Sequence, residues 1–159
     1  MVQVTSAGPV VPYSTTLHVR DACLCLHVQR AARALARRFD EALRPVGLTN
    51  GQFSLLMSLN RPQPATMASV AELLAMDRTT LTAALKGLEP RGLVQVRVSP
   101  EDARRRLLTL TAKGRKALAA ALPIWQREHG ELEASLSSEE QPDRLRRDLQ
   151  TLTAASSPR

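Results

Sequence analysis

From Thr16 to Leu43 apolar residues return every three or four positions, at Leu17, Leu24, Val28, Ala31, Leu35, Phe39 and Ala42. That spacing predicts one long amphipathic helix, because such residues stack on a single stripe. Arg30, Arg33, Arg37, Glu41 and Arg44 occupy its other face, and Pro45 should end it. Ahead of it, residues 1–16 contain Pro9 and Pro12 and read as a flexible arm. The helix segment itself is set at residues 17–45.

A second helix should begin at Thr49, which forms a T-x-x-Q capping box with Gln52. Leu48 and Phe53 are placed for a hydrophobic staple, and Leu56 and Leu59 continue the stripe. "NRPQPAT" reads as a loop and "ASVAELLAM" as a short helix built on Val70, Leu73 and Leu74, with Ala68 at its cap position. Asp77 is a good N-cap for a further helix that Pro90 closes. After Gly92, "LVQVRV" alternates as a half-buried strand should, and "RLLTL" is a return strand. Thr111 caps a long helix in which Pro123 must kink the rod or leave a hydrogen bond unmade. Ser137 and Glu140 suggest another capping box, followed by a stripe of Leu145, Leu149 and Leu152; residues 156–159 read as a frayed tail.

The predicted fold is mainly α with a small β-hairpin. A helix-turn-helix with a hairpin wing spans residues 46–111, and C-terminal helices span 112–155. This central unit looks short of core, while the flanking helices carry long apolar stripes. Either an intramolecular bundle or a second copy of the chain would cover those stripes, and the prevalence of twofold homo-oligomers favours the copy.

The helix after Asp77 has two faces. Leu81, Ala84, Leu85 and Leu88 form an apolar stripe; Thr79, Thr82, Ala83 and Lys86 form another with the same spacing. A solvated face would ordinarily carry Glu, Lys and Gln, which are better helix formers than threonine. Small hydroxyls and a cation suit close approach to phosphates and base edges. Arg78 and the free N–H groups of the first turn add an anion site. In a helix-turn-helix this second helix enters the major groove. The hairpin carries "DARRR" at its tip, and a narrow minor groove attracts arginine. Arg97, Arg104 and Arg105 are the wing cations expected to contact DNA.

Charge agrees with this reading. The chain of 159 residues carries 22 Lys+Arg against 15 Asp+Glu, a net +7, and nineteen of those cations are arginine. Arginine's forked donors suit phosphate and base edges, so a polyanionic partner is expected. Aromatics make up only 3% of the chain against 43% hydrophobic residues, so the core must be aliphatic.

The run "DRTTLTAALKGLEPRGLV" followed by "SPEDARRRLLTLTAKG" resembles the multiple-antibiotic-resistance-regulator (MarR) family of winged-helix transcription regulators. The matching motifs are Asp77-Arg78-Thr79-Thr80-Leu81-Thr82, Leu88-Glu89, Arg91-Gly92-Leu93-Val94, Asp102-x-Arg104 and Leu110-Thr111-x-x-Gly114; the likeness runs from about Leu24 to Leu152. It implies a homodimer joined by its N- and C-terminal helices on a pseudo-palindromic operator, most often as a repressor. By position it assigns Thr79, Thr80, Thr82 and Lys86 to the major groove and Arg104 to the wing, with Asp102 orienting the arginines around it. Ala75 replaces a glycine common in the family's turn, at a cost of roughly 1 kcal/mol if that residue is left-handed. Ala68 stands where the family often has a capping Ser or Thr, a loss of about 1 kcal/mol.

The signal is sought in "CLCLH", Cys23 to His27. On one continuous helix residues two apart diverge by about 200°, so Cys23 and Cys25 would not meet. Cys25 flanks the apolar stripe and resembles the cysteine of the family's organic-peroxide-sensing branch. That branch activates its thiol with tyrosines, and here Phe39 and Asn50 stand at the matching positions. Cys25, with Cys23, is the candidate redox sensor, against the alternative of a packed structural thiol. A small-molecule effector is the other candidate signal, and Trp125 could line its cavity. Cys23 and His27 could share an ion, but structural zinc wants four ligands, so no metal and no cofactor is expected.

No nucleophile–base constellation or phosphate loop is present, so an enzyme is not expected. No apolar run approaches the length of a bilayer span and no secretory signal opens the chain, which leads to a cytoplasmic expectation without a membrane partner. The competing reading is a winged helix used only for protein–protein assembly.

Overall fold

The computed structural model describes residues 10–136 and 138–155. The chain divides into two compact units, residues 1–37 and 38–159.

In the first unit the expected single long helix is two. Helix α1 spans Tyr13–Ala22 and α2 starts at Leu24 and runs to Leu43. Cys23 separates them in an extended conformation, with φ −75° and ψ 106°. Its N–H donates to the Val19 carbonyl, closing α1, while its Sγ accepts the Leu26 N–H at 3.5 Å, capping α2. The His27 Nε2 donates to the Asp21 carbonyl at 3.1 Å, satisfying an acceptor that α1 leaves open at its end. Helix also begins earlier than the expected arm allows. Pro12, at φ −61° and ψ 145°, is the N-cap of α1, so its fixed φ starts a helix there. Residues 1–9 lie outside the described residues.

The second unit holds the C-terminal part of α2, a 3₁₀ turn Arg44–Val46, then α3 (Asn50–Ser58), β1 (Ala65–Thr66), α4 (Met67–Leu73) and α5 (Arg78–Leu88). Strands β2 (Val94–Val98) and β3 (Arg106–Leu110) follow, then α6 (Ala112–Ala134) and α7 (Gln141–Ala155). The antiparallel sheet is ordered β1-β3-β2, with Ala65 opposite Leu108 and Val96 opposite Leu108 on its other side. As the proline rule requires, α2 ends at Leu43, before Pro45.

Contrary to expectation, the central elements build a core of their own. Leu43, Leu55, Leu56, Val70, Leu81, Leu88, Val94 and Leu108 are fully buried, one or more from each of α2 to α5 and from both long strands. Arg38 fastens α2 to α6 from outside this core, reaching Glu128 at 3.0 Å and Glu131 at 2.6 Å. Its guanidinium, and then that of Arg127, hold the Glu128 carboxyl below its usual range.

Several caps follow the sequence closely. Thr49 and Gln52 form the reciprocal box, Asp77 caps α5 and Thr111 caps α6. One cap differs. Helix α4 starts at Met67, and Thr66, not Ala68, is its N-cap, in a box with Ser69 whose two bonds are both 3.1 Å. No cap is missing. The Ser137 box lies outside the described residues. Pro123 sits inside continuous α6, where its missing N–H leaves the Ala119 carbonyl without that helical bond.

Ala75 adopts φ 50°, the left-handed conformation. Its N–H donates to the Glu72 carbonyl and the Met76 N–H to the Ala71 carbonyl, the paired bonds of a Schellman stop that usually takes glycine. Ala75→Gly should therefore raise stability by about 0.5–1 kcal/mol, the relieved strain exceeding glycine's entropy cost. A denaturant midpoint at or below that of the parent would contradict the strain.

Candidate nucleic-acid interface

Helix α5 has the two faces its sequence requires. Leu81, Leu85 and Leu88 are buried, while Arg78, Thr79, Thr80, Thr82, Ala83 and Lys86 are exposed. The turn set by Ala75 delivers the chain to Asp77, whose Oδ1 accepts the Thr80 N–H at 2.7 Å. Its Oδ2 accepts the Thr80 hydroxyl at 2.9 Å. These bonds, the amide's foremost, hold the Asp77 carboxyl below its usual range, so the cap is ionised at neutral pH.

The threonines are consequently not equivalent. The Thr80 hydroxyl proton is committed to Asp77, and the Thr82 hydroxyl donates to the Arg78 carbonyl at 2.7 Å. Thr82 presents a methyl and an acceptor outward, whereas among the described residues the Thr79 hydroxyl has no hydrogen-bond partner. The Lys86 ammonium lies on the same exposed face one to two turns on.

The wing is a hairpin closed by its own acid. The Ser99 N–H donates to the Arg105 carbonyl and the Arg105 N–H to the Asp102 carbonyl, both at 2.9 Å. Asp102 Oδ1 accepts the Arg104 N–H at 2.9 Å, and Oδ2 lies 3.3 Å from the Arg105 Nε. Asp102 therefore spends its charge on Arg105 and shapes the backbone at Arg104. Among the described residues, the Arg104 guanidinium has no ion-pair partner. Arg97 is exposed on β2, opposite Leu107 of β3.

The structure brings Arg78, Arg104 and Arg105 around one open cavity of about 320 Å³. It adds Arg106, which the sequence had assigned to the return strand alone, and a floor from Met67, Ala68 and Ala71. The run of three arginines was the signal for Arg106; nothing local marked the floor. Cys23 and Cys25 belong to the first unit. Cys23 is half-buried; Cys25 is exposed, its Sγ accepting from Gln29 Nε2 at 3.2 Å. The expected placement of both thiols on one unbroken helix does not hold, because Cys23 lies between two helices. Among the described residues no His, Cys, Asp or Glu cluster could hold a metal, and no helix is long and apolar enough to cross a membrane.

A short helix, a tight turn, an exposed hydroxyl-bearing helix and an arginine-tipped hairpin define a winged helix-turn-helix of the DNA-binding class. The MarR family model matches residues 48–105. The transcriptional regulator HosA of Escherichia coli O111:H- is 36% identical over 94 residues, covering 59% of this chain and 70% of that protein. The Mycobacterium tuberculosis regulator MosR, solved with DNA, is 42% identical with a TM-score of 0.77, over 84% of this chain and 96% of that one. CouR of Rhodococcus jostii RHA1, a repressor bound to a 23-mer duplex, is 31% identical with a TM-score of 0.74, over 84% and 94% of the two chains. The chain belongs to the MarR family: it is a winged-helix transcription regulator and not an enzyme.

Proposed function

We propose that this regulator binds double-stranded DNA sequence-specifically as a homodimer on a pseudo-palindromic operator, acting as a repressor that a small ligand or thiol oxidation releases. The observation that carries the reading is the exposed face of Thr79, Thr82 and Lys86 beside a wing whose Arg104 has no acidic partner among the described residues. Thr79 and Thr82 meet base edges, Lys86 and Arg78 meet phosphates, and Arg104, with Arg97 and Arg105, serves the minor groove. Thr80 contributes its methyl, since its hydroxyl belongs to the cap. DNA-bound relatives of 42% and 31% identity support the partner.

The apolar stripes support the dimer. Leu145, Leu149 and Leu152 of α7 and Leu24, Val28 and Leu35 of α2 are all exposed in the single chain. A twofold dimer would cover them and set its recognition helices about one DNA turn apart. Selection of bound duplexes from a random pool tests the function. Two inverted half-sites are the expected product, and a pool without enrichment would contradict it.

Two routes of release are open. An open cavity of about 390 Å³ lies among Phe53, Met57, Leu73, Leu74 and Trp125, with Trp125 stacked on Phe53 at 6.1 Å and on His129 at 4.6 Å. A ligand there that prefers one helix separation shifts the equilibrium toward it by the difference in its affinity for the two conformations. The thiol route rests on Cys25, exposed and near the break at Cys23. Cys25→Ser should leave DNA binding intact and abolish release by peroxide. Equal release of both proteins by hydrogen peroxide and organic peroxides would remove Cys25 as the sensor.

A further inference from the structure

The cavity between α4 and the wing has an unusual chemistry for a surface hollow. Met67, Ala68 and Ala71 give it an apolar floor, and Arg78, Arg104, Arg105 and Arg106 surround it without one carboxylate in the lining. Of these four guanidiniums only that of Arg105 is in an ion pair among the described residues. A cation cluster alone is explained by any polyanion. A cation cluster over methyl and thioether groups calls for a ligand that is anionic on one side and apolar on the other.

The topology names that ligand. Helix α5 starts at Arg78 on one side of the hollow, and the wing descends through Arg104 to Arg106 on the other. When a recognition helix lies in the major groove and a wing in the adjacent minor groove, one sugar–phosphate strand must pass between them, because that strand is the ridge dividing the grooves. We infer that this hollow is the seat of that ridge: Arg78 and Arg106 hold a phosphate from two sides, and Met67, Ala68 and Ala71 pack against the adjoining deoxyribose. The assignment rests on the DNA-binding reading above and adds to it Arg106 and the floor of Met67, Ala68 and Ala71, which belong to neither the recognition helix nor the wing tip. It gives Arg106 a backbone-positioning role, which fixes the register of the protein on the duplex without reading a base.

Placing Arg106 on β3 opposite Val98 makes this contact rigid. A residue on a paired strand keeps its distance from α4, whereas the tip residues belong to the connection between strands. The seat therefore couples the wing to the helix-turn-helix through the DNA, and loss of the seat should weaken all sequences alike.

The test is a thermodynamic cycle on a duplex obtained by selection with the 159-residue chain. Single phosphates along one strand are replaced by uncharged methylphosphonates, and each duplex is titrated with the parent and with Arg106→Ala. One position between the groove contacts should cost the parent about 3–10-fold, and Arg106→Ala should cost a similar factor on unmodified DNA. Combined, the two changes should cost little more than either alone, and the salt slope of Arg106→Ala should fall by about one per subunit. Ala68→Leu, at an exposed position, fills the floor; it should weaken binding with the salt slope unchanged. Losses that multiply at every phosphate, or an Arg106→Ala protein with parental affinity and slope, would overturn the seat while leaving DNA binding in place. A parent that binds no duplex at all would remove the DNA reading and the seat with it.

Discussion

Replacing Arg104 with alanine should weaken operator binding by about 10–100-fold and flatten its dependence on salt. Among the described residues the guanidinium has no acidic partner, so its removal breaks no ion pair there. The turn that presents it uses only the backbone of Arg104, whose N–H donates to the Asp102 Oδ1 at 2.9 Å, and survives the substitution. Each guanidinium that neutralises a phosphate, or enters the negative potential of a minor groove, releases counterions, so its loss takes about one from the logarithmic salt slope per subunit. Titration by fluorescence anisotropy at several salt concentrations reads both quantities. Arg105→Ala is the informative control: that cation already faces Asp102 at 3.3 Å, and its removal should cost less. Parental affinity and slope for Arg104→Ala would take the wing out of the binding surface.

The largest effect on folding is expected at Gly114→Ala. Gly114 is buried at the third position of α6, where its N–H donates to the Thr111 Oγ1 at 2.9 Å. The Thr111 hydroxyl donates in turn to the Gly92 carbonyl at 2.6 Å, and its N–H to the Leu93 carbonyl at 3.2 Å. These bonds draw the first turn of α6 onto the chain entering β2. A Cβ on Gly114 would stand 2.0 Å from the Leu93 carbonyl oxygen and 3.0 Å from its carbon. Both are backbone atoms and cannot rotate away, so the helix start must move off the sheet. A cost of about 2–4 kcal/mol is expected, at the upper end of overpacking changes. Urea unfolding at fixed protein concentration measures it. A midpoint within error of the parent would show that α6 does not need this approach.

This glycine also shows how far the sequence could be read. The motif Leu110-Thr111-x-x-Gly114 marked a helix start, and Thr111 as cap followed from its chemistry. The reason for glycine needed the carbonyl of Leu93, a contact between separate elements. The same division runs through the fold. Capping at Thr49 and Asp77, the buried Leu81–Leu85–Leu88 face and the hairpin were legible because each rests on spacing within about one or two turns. Strand β1 was not, since two residues carry no alternation and Ala65 is strand only through Leu108. The cap at Thr66 was missed because its partner is Ser69, where the usual box has Glu or Gln. The break at Cys23 interrupts a stripe whose spacing continues across it, so periodicity could not reveal it.

For the candidate site, the exposed face of α5 and the arginines of the wing could be named from the chain alone. What the sequence could not supply was their grouping: that Arg106 shares a hollow with Arg78, and that Met67, Ala68 and Ala71 form its floor. It also could not distinguish the threonines. The Thr80 hydroxyl is committed to the carboxylate that starts the helix and the Thr82 hydroxyl to the Arg78 carbonyl, which the residue types alone do not reveal.

Sedimentation equilibrium of the purified chain with a labelled selected duplex, repeated from low to high salt, tests the central claim most directly. The account predicts two chains on each duplex and a complex that dissociates steeply as salt rises. A chain that stays monomeric at every concentration, or that leaves duplex DNA unbound at low ionic strength, would contradict it.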